Sequence, residues 1–456
     1  MIKKYNDYTE VNSDWLDSIP VSWEWKKIKE VTSFVNRGTT PNYSDIGVMV
    51  VNQATFSKGK WDVNDVRYTS TKVQGNRGRL KREDVLMAST GGGVLGKLFY
   101  FNEPGEYVAD SHVTIIRASD GTNSKYIYYQ LYPKYDLINA TLAKGSTNQT
   151  ELQRQWLRDF YIPIPPKEEQ DQIVRYLNWK TSEIDRFIHQ KKKQIKKLEE
   201  YKFTKIDELI TKGMNSHVQM KESGVEWLGQ IPEHWDVHTI KQHFKVRKRI
   251  AGKEGYDVLS ITQQGLKVKD ISSNEGQMAM DYSGYQFVNP GDFAMNHMDL
   301  ITGYVDLSDK FGVTSPDYRV FTLEDTDNCY PEFYLRVFQV AYKRRIFYKF
   351  GKGAANQGRW RLPQRAFYNY SIQIPPIEEQ KVIEYECKQL EKNIDEMIEA
   401  LKKEIDLLQE LRTKIIADVV TGQIDVRDVV VPEYSRDEDT DSDDIEDDEE
   451  IEESED

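Results

Sequence analysis

Side chains that read base edges or neutralise phosphates crowd the turn-forming stretches of this 456-residue sequence. In the first half they are Arg37, Asn52, Gln53, Lys72, Gln74, Asn76, Arg77, Arg79, Ser89, Thr90, Lys144, Ser146, Asn148 and Gln149, with Lys97 as a basic tip. In the second half they are Lys248, Arg249, Gln263, Gln264, Lys267, Lys269, Asn296, His297, Lys343, Arg344, Arg345, Lys352, Asn356, Gln357, Arg359 and Arg361. Arg is suited to guanine, Asn and Gln to adenine, and Lys to phosphate. A single polar loop residue is more often simply solvated. As a set that recurs at matching positions, with Tyr43, Tyr68, Tyr348 and Trp360 nearby, these residues point to nucleic acid.

Catalytic chemistry finds less support. Residues Gly91 to Leu98 nearly spell a phosphate-cradling loop, but Leu98 stands where Ser or Thr would hold magnesium, and a strand is expected from Lys97 to Phe101 where such a loop needs a helix. Ser315-Pro316-Asp317-Tyr318 lacks the second proline of the amino-group methyltransferase motif. His234, His238 and His243 have no acid between them in a zinc-hydrolase arrangement and read as surface or capping residues. Cys329 and Cys387 are the only cysteines, which argues against a disulfide framework and a cysteine metal site and fits a reducing, cytoplasmic setting. No catalytic, cofactor or metal site is expected in the chain itself.

The elements that must position the polar sets are written twice. Ile164-Pro165-Pro166-Lys167-Glu168-Glu169-Gln170 returns as Ile374-Pro375-Pro376-Ile377-Glu378-Glu379-Gln380, and Trp15, Leu16, Ile19, Pro20 and Trp23 return as Trp227, Leu228, Ile231, Pro232 and Trp235. Between these landmarks lie short Val-, Ile-, Phe- and Tyr-rich strands broken by turns, with helices expected at Lys125 to Leu131 and Pro331 to Arg345. Each Pro-Pro pair followed by Glu-Glu is a helix start, and Gly213 and Gly422 are stops. Ile173, Ile184, Ile195 and Ile206, matched by Ile383, Ile394, Ile405 and Ile416, recur every eleven residues, a period that keeps an apolar seam nearly straight along the helix. Leu177, Ile188, Leu198 and Leu209 thicken one seam, and Leu390, Leu401, Leu408, Leu411 and Val419 the other.

The predicted architecture is α+β, two mixed α/β recognition domains joined by two long antiparallel helices. The expected borders are 1–165 and 214–376 for the domains, 166–213 and 377–425 for the helices, and 426–456 for an acidic disordered tail. Pairing of the seams between two copies of the chain is the competing arrangement. Charge agrees with a nucleic-acid partner once the tail is set aside: of 75 Asp and Glu, 15 lie in residues 437–456, leaving 75 − 15 = 60 acids against 62 bases. No apolar run approaches a membrane span or a signal peptide.

From the Trp-Leu-x-x-Ile-Pro opening through both Pro-Pro-x-Glu-Glu-Gln helix starts to Gly422, the layout resembles the specificity subunit of type I restriction-modification enzymes. The resemblance covers residues 10 to 425. It implies a non-catalytic subunit whose two domains each read half of a split, asymmetric site in double-stranded DNA. It further implies helices that set the gap and dock two methylation subunits carrying S-adenosylmethionine, with restriction subunits using ATP and Mg2+ joining that core. A protein-binding coiled-coil scaffold is the alternative. The acidic tail falls outside the family pattern, and its charge suits competition with DNA for the basic loops. Deleting residues 433 to 456 is therefore expected to raise non-specific DNA affinity at low salt; unchanged affinity and salt slope in a titration series would remove this role.

Overall fold

Proline in the first turn and acids beside it start both long helices, Lys167–Lys212 and Ile377–Val420, each directly after its Pro-Pro pair. The computed structural model describes residues 3–64, 66–70, 78–91, 93–144, 150–271, 279, 281–301, 303–353 and 360–434. Lys72, Gln74, Asn76, Arg77, Ser146, Asn148, Gln149, Asn356, Gln357, Arg359, the Lys144 side chain and the acidic stretch 437–456 lie outside the described residues. At about 1.5 Å per residue, the 46-residue first helix is about 69 Å long. Both helices stop at glycines in the left-handed region, Gly213 (φ 73°) and Gly422 (φ 75°), where a side chain would be strained. Among the described residues, no helix is long and apolar enough to cross a membrane.

Two compact units result. Among the described residues, one combines the chain up to Lys192 with the chain from Leu401 to Tyr434, and the other lies within Lys193–Ala400. The division passes through the middle of both long helices, because each unit packs on its own half of each helix. In the first unit Ile173 and Leu177 share a core with Ile416, Val419 and Val420, while Lys191 pairs with Glu404 at 2.5 Å and Asp185 with Arg412 at 3.6 Å. In the second, Ile206 and Ile210 share a core with Ile383 and Cys387, and Lys202 pairs with Asp395 at 2.7 Å. Rising numbers on one helix meet falling numbers on the other, so the segments are antiparallel. Ile184 and Ile394 are also buried, but Ile195 and Ile405 are half-buried, belong to neither core, and Leu411 is 45% exposed. The seam is therefore deepest where a globular layer covers it.

Each unit carries a four-stranded antiparallel sheet of the same order. In the first it runs Thr32–Arg37, Val113–Ala118, Val85–Ala88, Leu98–Tyr100; in the second, Phe244–Arg247, Arg319–Leu323, Phe293–Met295, Val305–Leu307. The glycine-rich loop thus leads into a strand. A helix follows each sheet, Ser124–Leu131 and Pro331–Lys343; the latter stops short of Arg345, whose positive φ of 52° breaks the run before Ile346–Lys349.

The repeated motif has a structural meaning. The Trp23 indole donates to Glu169 and the Trp235 indole to Glu379, both at 3.0 Å, clamping the opening turn onto the helix start. Gln170 donates to the Pro165 carbonyl at 2.9 Å and accepts from the Asn123 amide at 2.8 Å; Gln380 donates to Pro375 at 2.7 Å and accepts from Tyr330 at 2.8 Å. Each glutamine so ties the long helix to the start of the sheet-covering helix.

One expected border moves. The second long helix ends at Val420, not 425, and the chain beyond it is packed: the Asp425 amide donates to the Lys3 carbonyl at 2.8 Å, Val426 is fully buried, and Gln172 holds the carbonyls of Val426 and Val429. Apolar residues at 426 and 429 anchor what charge alone assigned to a tail. Replacing Gln170 by Ala strands a buried amide and carbonyl, so urea denaturation of the variant is expected to show a loss of about 1–3 kcal/mol; an unchanged midpoint would show that the joint contributes nothing.

Candidate nucleic-acid interface

The loops that follow the third sheet strand in each unit, Val85–Ala88 and Phe293–Met295, carry the predicted Ser89-Thr90 and Asn296-His297 pairs. In the first unit, hydrogen bonds gather several predicted residues. Thr90 Oγ1 lies 2.8 Å from His112 Nδ1 and 3.4 Å from Gln53 Oε1. Gly91 donates to the Thr150 carbonyl at 3.1 Å and Thr90 bridges Glu151, so the Gly-rich loop lies beside the arm that leads out of the 145–149 segment. Asn52, one residue from Gln53, caps its own turn by accepting from the Thr55 amide at 3.1 Å. Lys97 sits half-exposed at the end of the glycine loop.

Other predicted residues are consumed by the fold. Ser89 is fully buried, sharing a 2.6 Å hydrogen bond with Thr114, and so cannot face DNA as placed. Arg37 lies in a strand, not a turn, and its guanidinium is held by the Glu151 carboxylate and by the Leu152 carbonyl at 3.1 Å. Arg79 stands away from this group, paired on the surface with Glu106 at 3.3 Å.

In the second unit Lys248, His297, Lys352 and Arg361 converge on one cleft of about 570 Å³, together with Arg247, Gln286, Tyr318 and Arg319. Backbone hydrogen bonds between Lys352 and Arg361, 2.8 and 3.1 Å, bring their side chains to one rim on either side of the 354–359 segment. His297 Nδ1 is buried without a hydrogen-bond partner among the described residues. Burial, with Arg319 and Arg361 close by, pushes the His297 pKa down to about 3, so the ring is neutral at physiological pH and can exchange specific hydrogen bonds. Asn296 is spent locally, accepting from the Met298 amide through its side chain and from Tyr342 through its carbonyl. Arg249 is an anchor for Asp292, which is 3% exposed, and not a free loop cation. Gln263 and Gln264 project at the tip of the hairpin Leu259–Thr262/Gly265–Val268, and Lys267, which lies in its second strand, bonds to Gln264.

Arg319 was not singled out from the sequence. It sits in a strand, 4% exposed, donating to the Leu362 carbonyl at 2.7 Å with its guanidinium 4.7 Å from the Phe367 ring centroid; burial lowers its pKa to about 10, still charged. A lone cation inside an apolar strand was the available signal. Sheet register places Arg319 opposite Met295 and Thr114 opposite Met87. Arg319 and His297 thus occupy the places held in the first unit by Thr114 and Ser89. The floors of the two sites are chemically unlike, one a buried hydroxyl pair and the other a cation beside a neutral imidazole.

A known family matches the chain twice. The profile of the type I restriction modification DNA specificity domain matches residues 20–200 and 232–407. The putative type I restriction enzyme MjaX specificity subunit of Methanocaldococcus jannaschii is 26% identical over 437 residues, 90% of this chain and 96% of the relative. The MjaVIII specificity subunit of the same organism is 26% identical over 322 residues, 67% of this chain and 71% of the relative. A solved chain from work on the complex assembly and conformational transition of the type I R-M system aligns with a TM-score of 0.62 at 14% identity, covering 89% of this chain and 99% of that one, which shows a shared fold. The two matched segments take in most of both copies, and the chain belongs to the type I restriction modification DNA specificity family.

Proposed function

We propose that the protein reads a bipartite, asymmetric site in double-stranded DNA, one half with each unit, as the specificity subunit of a type I restriction-modification system. The observation that carries this reading is the pair of equivalent sites on matching sheets whose floors differ, Ser89 and Thr114 against His297 and Arg319. Equivalent placement supports a common docking geometry, and unlike floors support unlike loops above them, and so different half-sites. The cationic rim of Lys248, Lys352 and Arg361 supplies phosphate neutralisation in the second unit.

The chain itself is non-catalytic in this reading. Adenine methylation belongs to two methylation subunits that bring S-adenosylmethionine, and cleavage to restriction subunits that bring ATP and Mg2+. The long helices set the spacing between half-sites and present docking surface. In support, large apolar side chains stand exposed along the second long helix, among them Tyr385 at 60% and Leu407 at 63%, more than a helix serving only its partner requires.

The test is single-molecule sequencing of adenine methylation in cells expressing this chain with its methylation partner. A split motif that vanishes on deletion of this chain is expected; methylation unchanged by the deletion, with an active partner, would favour a protein scaffold. His297→Ala is expected to relax discrimination in one half of the motif by about 1–3 kcal/mol at the affected base while leaving the other half intact. Arg361→Ala is expected to weaken binding to all sequences alike and to lower the salt slope by about 1.

A further inference from the structure

Three donor side chains of the second unit, His243, Asp325 and Cys329, converge on a point that none of the recognition residues uses, with His238 behind His243. His238 comes from the strand Asp236–Thr239, His243 from the single helical turn Ile240–His243, and Asp325 and Cys329 from the loop before the helix Pro331–Lys343. The ligand atoms of His243, Asp325 and Cys329 all lie within 4.8 Å of one another. His243 Nδ1 is 2.8 Å from Asp325 Oδ2, and His243 Nε2 is 2.8 Å from His238 Nδ1, the two rings nearly parallel and edge to edge with centroids 5.0 Å apart. Asn328 orients the Asp325 carboxylate, donating from its backbone amide to Oδ1 at 3.2 Å and from its side chain to both oxygens at 3.1 Å, with Oδ2 also facing His243. His243 and Cys329 are 5% and 1% exposed, so the sequence-based assignment of surface or capping histidines does not hold for His243.

We propose that His243, Asp325 and Cys329 bind a divalent transition metal of zinc type, with His238 as the outer partner that orients His243. One imidazole nitrogen, one carboxylate oxygen and one sulfur are a mixed set suited to that ion, with a fourth position left for water. Thiolate and carboxylate together balance the charge of a divalent ion, so the filled site is neutral and its burial is cheap compared with that of an isolated charge. A hydrogen bond from the far nitrogen of a ligating histidine to a fixed acceptor is the usual way such a ring is held. The Nδ1 to Oδ2 distance must open from 2.8 Å to roughly 3.3 Å when both atoms bind at about 2.0 Å, a small motion for the partly exposed Asp325.

The fold does not demand these donors. Val31 accepts from the Ser119 amide as His243 accepts from Glu324, and Asn123 meets Gln170 as Tyr330 meets Gln380. At the matching places the first unit has Lys26, Val31, Asp120 and Thr122, of which only Asp120 could ligate. Local spacing concealed the cluster because the acid stands 82 residues from the imidazole it meets. A bound ion would staple the turn after one strand to the loop that launches the sheet-covering helix.

The test uses the full chain, stripped with chelator and titrated with Co2+. About one equivalent is expected to bind with tetrahedral visible bands and a near-ultraviolet thiolate-to-cobalt band, both bleached by Zn2+. Cys329→Ala should abolish the near-ultraviolet band, Cys387→Ala should leave it, and His238→Phe should keep it while weakening binding about 10- to 100-fold. A missing near-ultraviolet band in the native chain, or one that persists in Cys329→Ala, overturns the site. X-ray absorption of the zinc-loaded native chain needs no variant: one sulfur at about 2.3 Å is expected, and a shell of nitrogen and oxygen alone would sink the proposal.

Discussion

A carboxylate held by an indole is the constraint on which both halves of the molecule depend. Glu169 and Glu379 sit in the first turns of the long helices, where the helix dipole already favours negative charge, and each accepts from a tryptophan of the opening turn. The neighbouring glutamine uses both ends of its amide to join helix to helix. Fixing these two residues sets where the long helix leaves the sheet, and so where the loops that follow the sheet strands are carried. At the other end of each long helix, orphan carbonyls meet buried glutamine amides, Gln130 on Val420 and Gln373 on Ile210. The same need is met from different elements in the two copies, which indicates that satisfying the helix end matters more than the residue that does it.

Above this shared frame the two units diverge in how they use buried polarity. The first hides a hydroxyl pair beneath its loops, a neutral arrangement that asks little of its surroundings. The second hides Arg319, compensated by the Leu362 carbonyl and the face of Phe367, and this charge helps keep His297 neutral. A neutral ring beside a fixed cation offers a hydrogen-bonding group whose protonation does not drift with pH in the physiological range, a property suited to discrimination by hydrogen bonds.

Much of this was legible in the sequence because it rests on local rules. The Pro-Pro-Glu-Glu starts, the glycine stops and the strand after the glycine-rich loop follow from backbone conformation and dipoles, and each appears within a residue or two of its expected place, while the second long helix ends at Val420, five residues before its expected border at 425. What could not be read was which polar groups the fold would consume. Arg37 finds Glu151, Arg249 finds Asp292, and Ser89 finds Thr114, partners whose proximity depends on sheet register, not on spacing along the chain. The segment after the second long helix was misjudged for the opposite reason: two valines outweigh the charge that follows them.

The joint between sheet and helix also bears on how such a chain can change over generations. Glu169, Gln170 and their counterparts touch the opening tryptophans, proline carbonyls and helix-start amides, none of which belongs to the loops assigned to DNA. Drift in those loops therefore leaves the joint intact, and the frame tolerates substitutions that would be fatal if binding and folding shared residues. The protein separates the part that must persist from the part that is free to vary, which is the physical basis of evolvability.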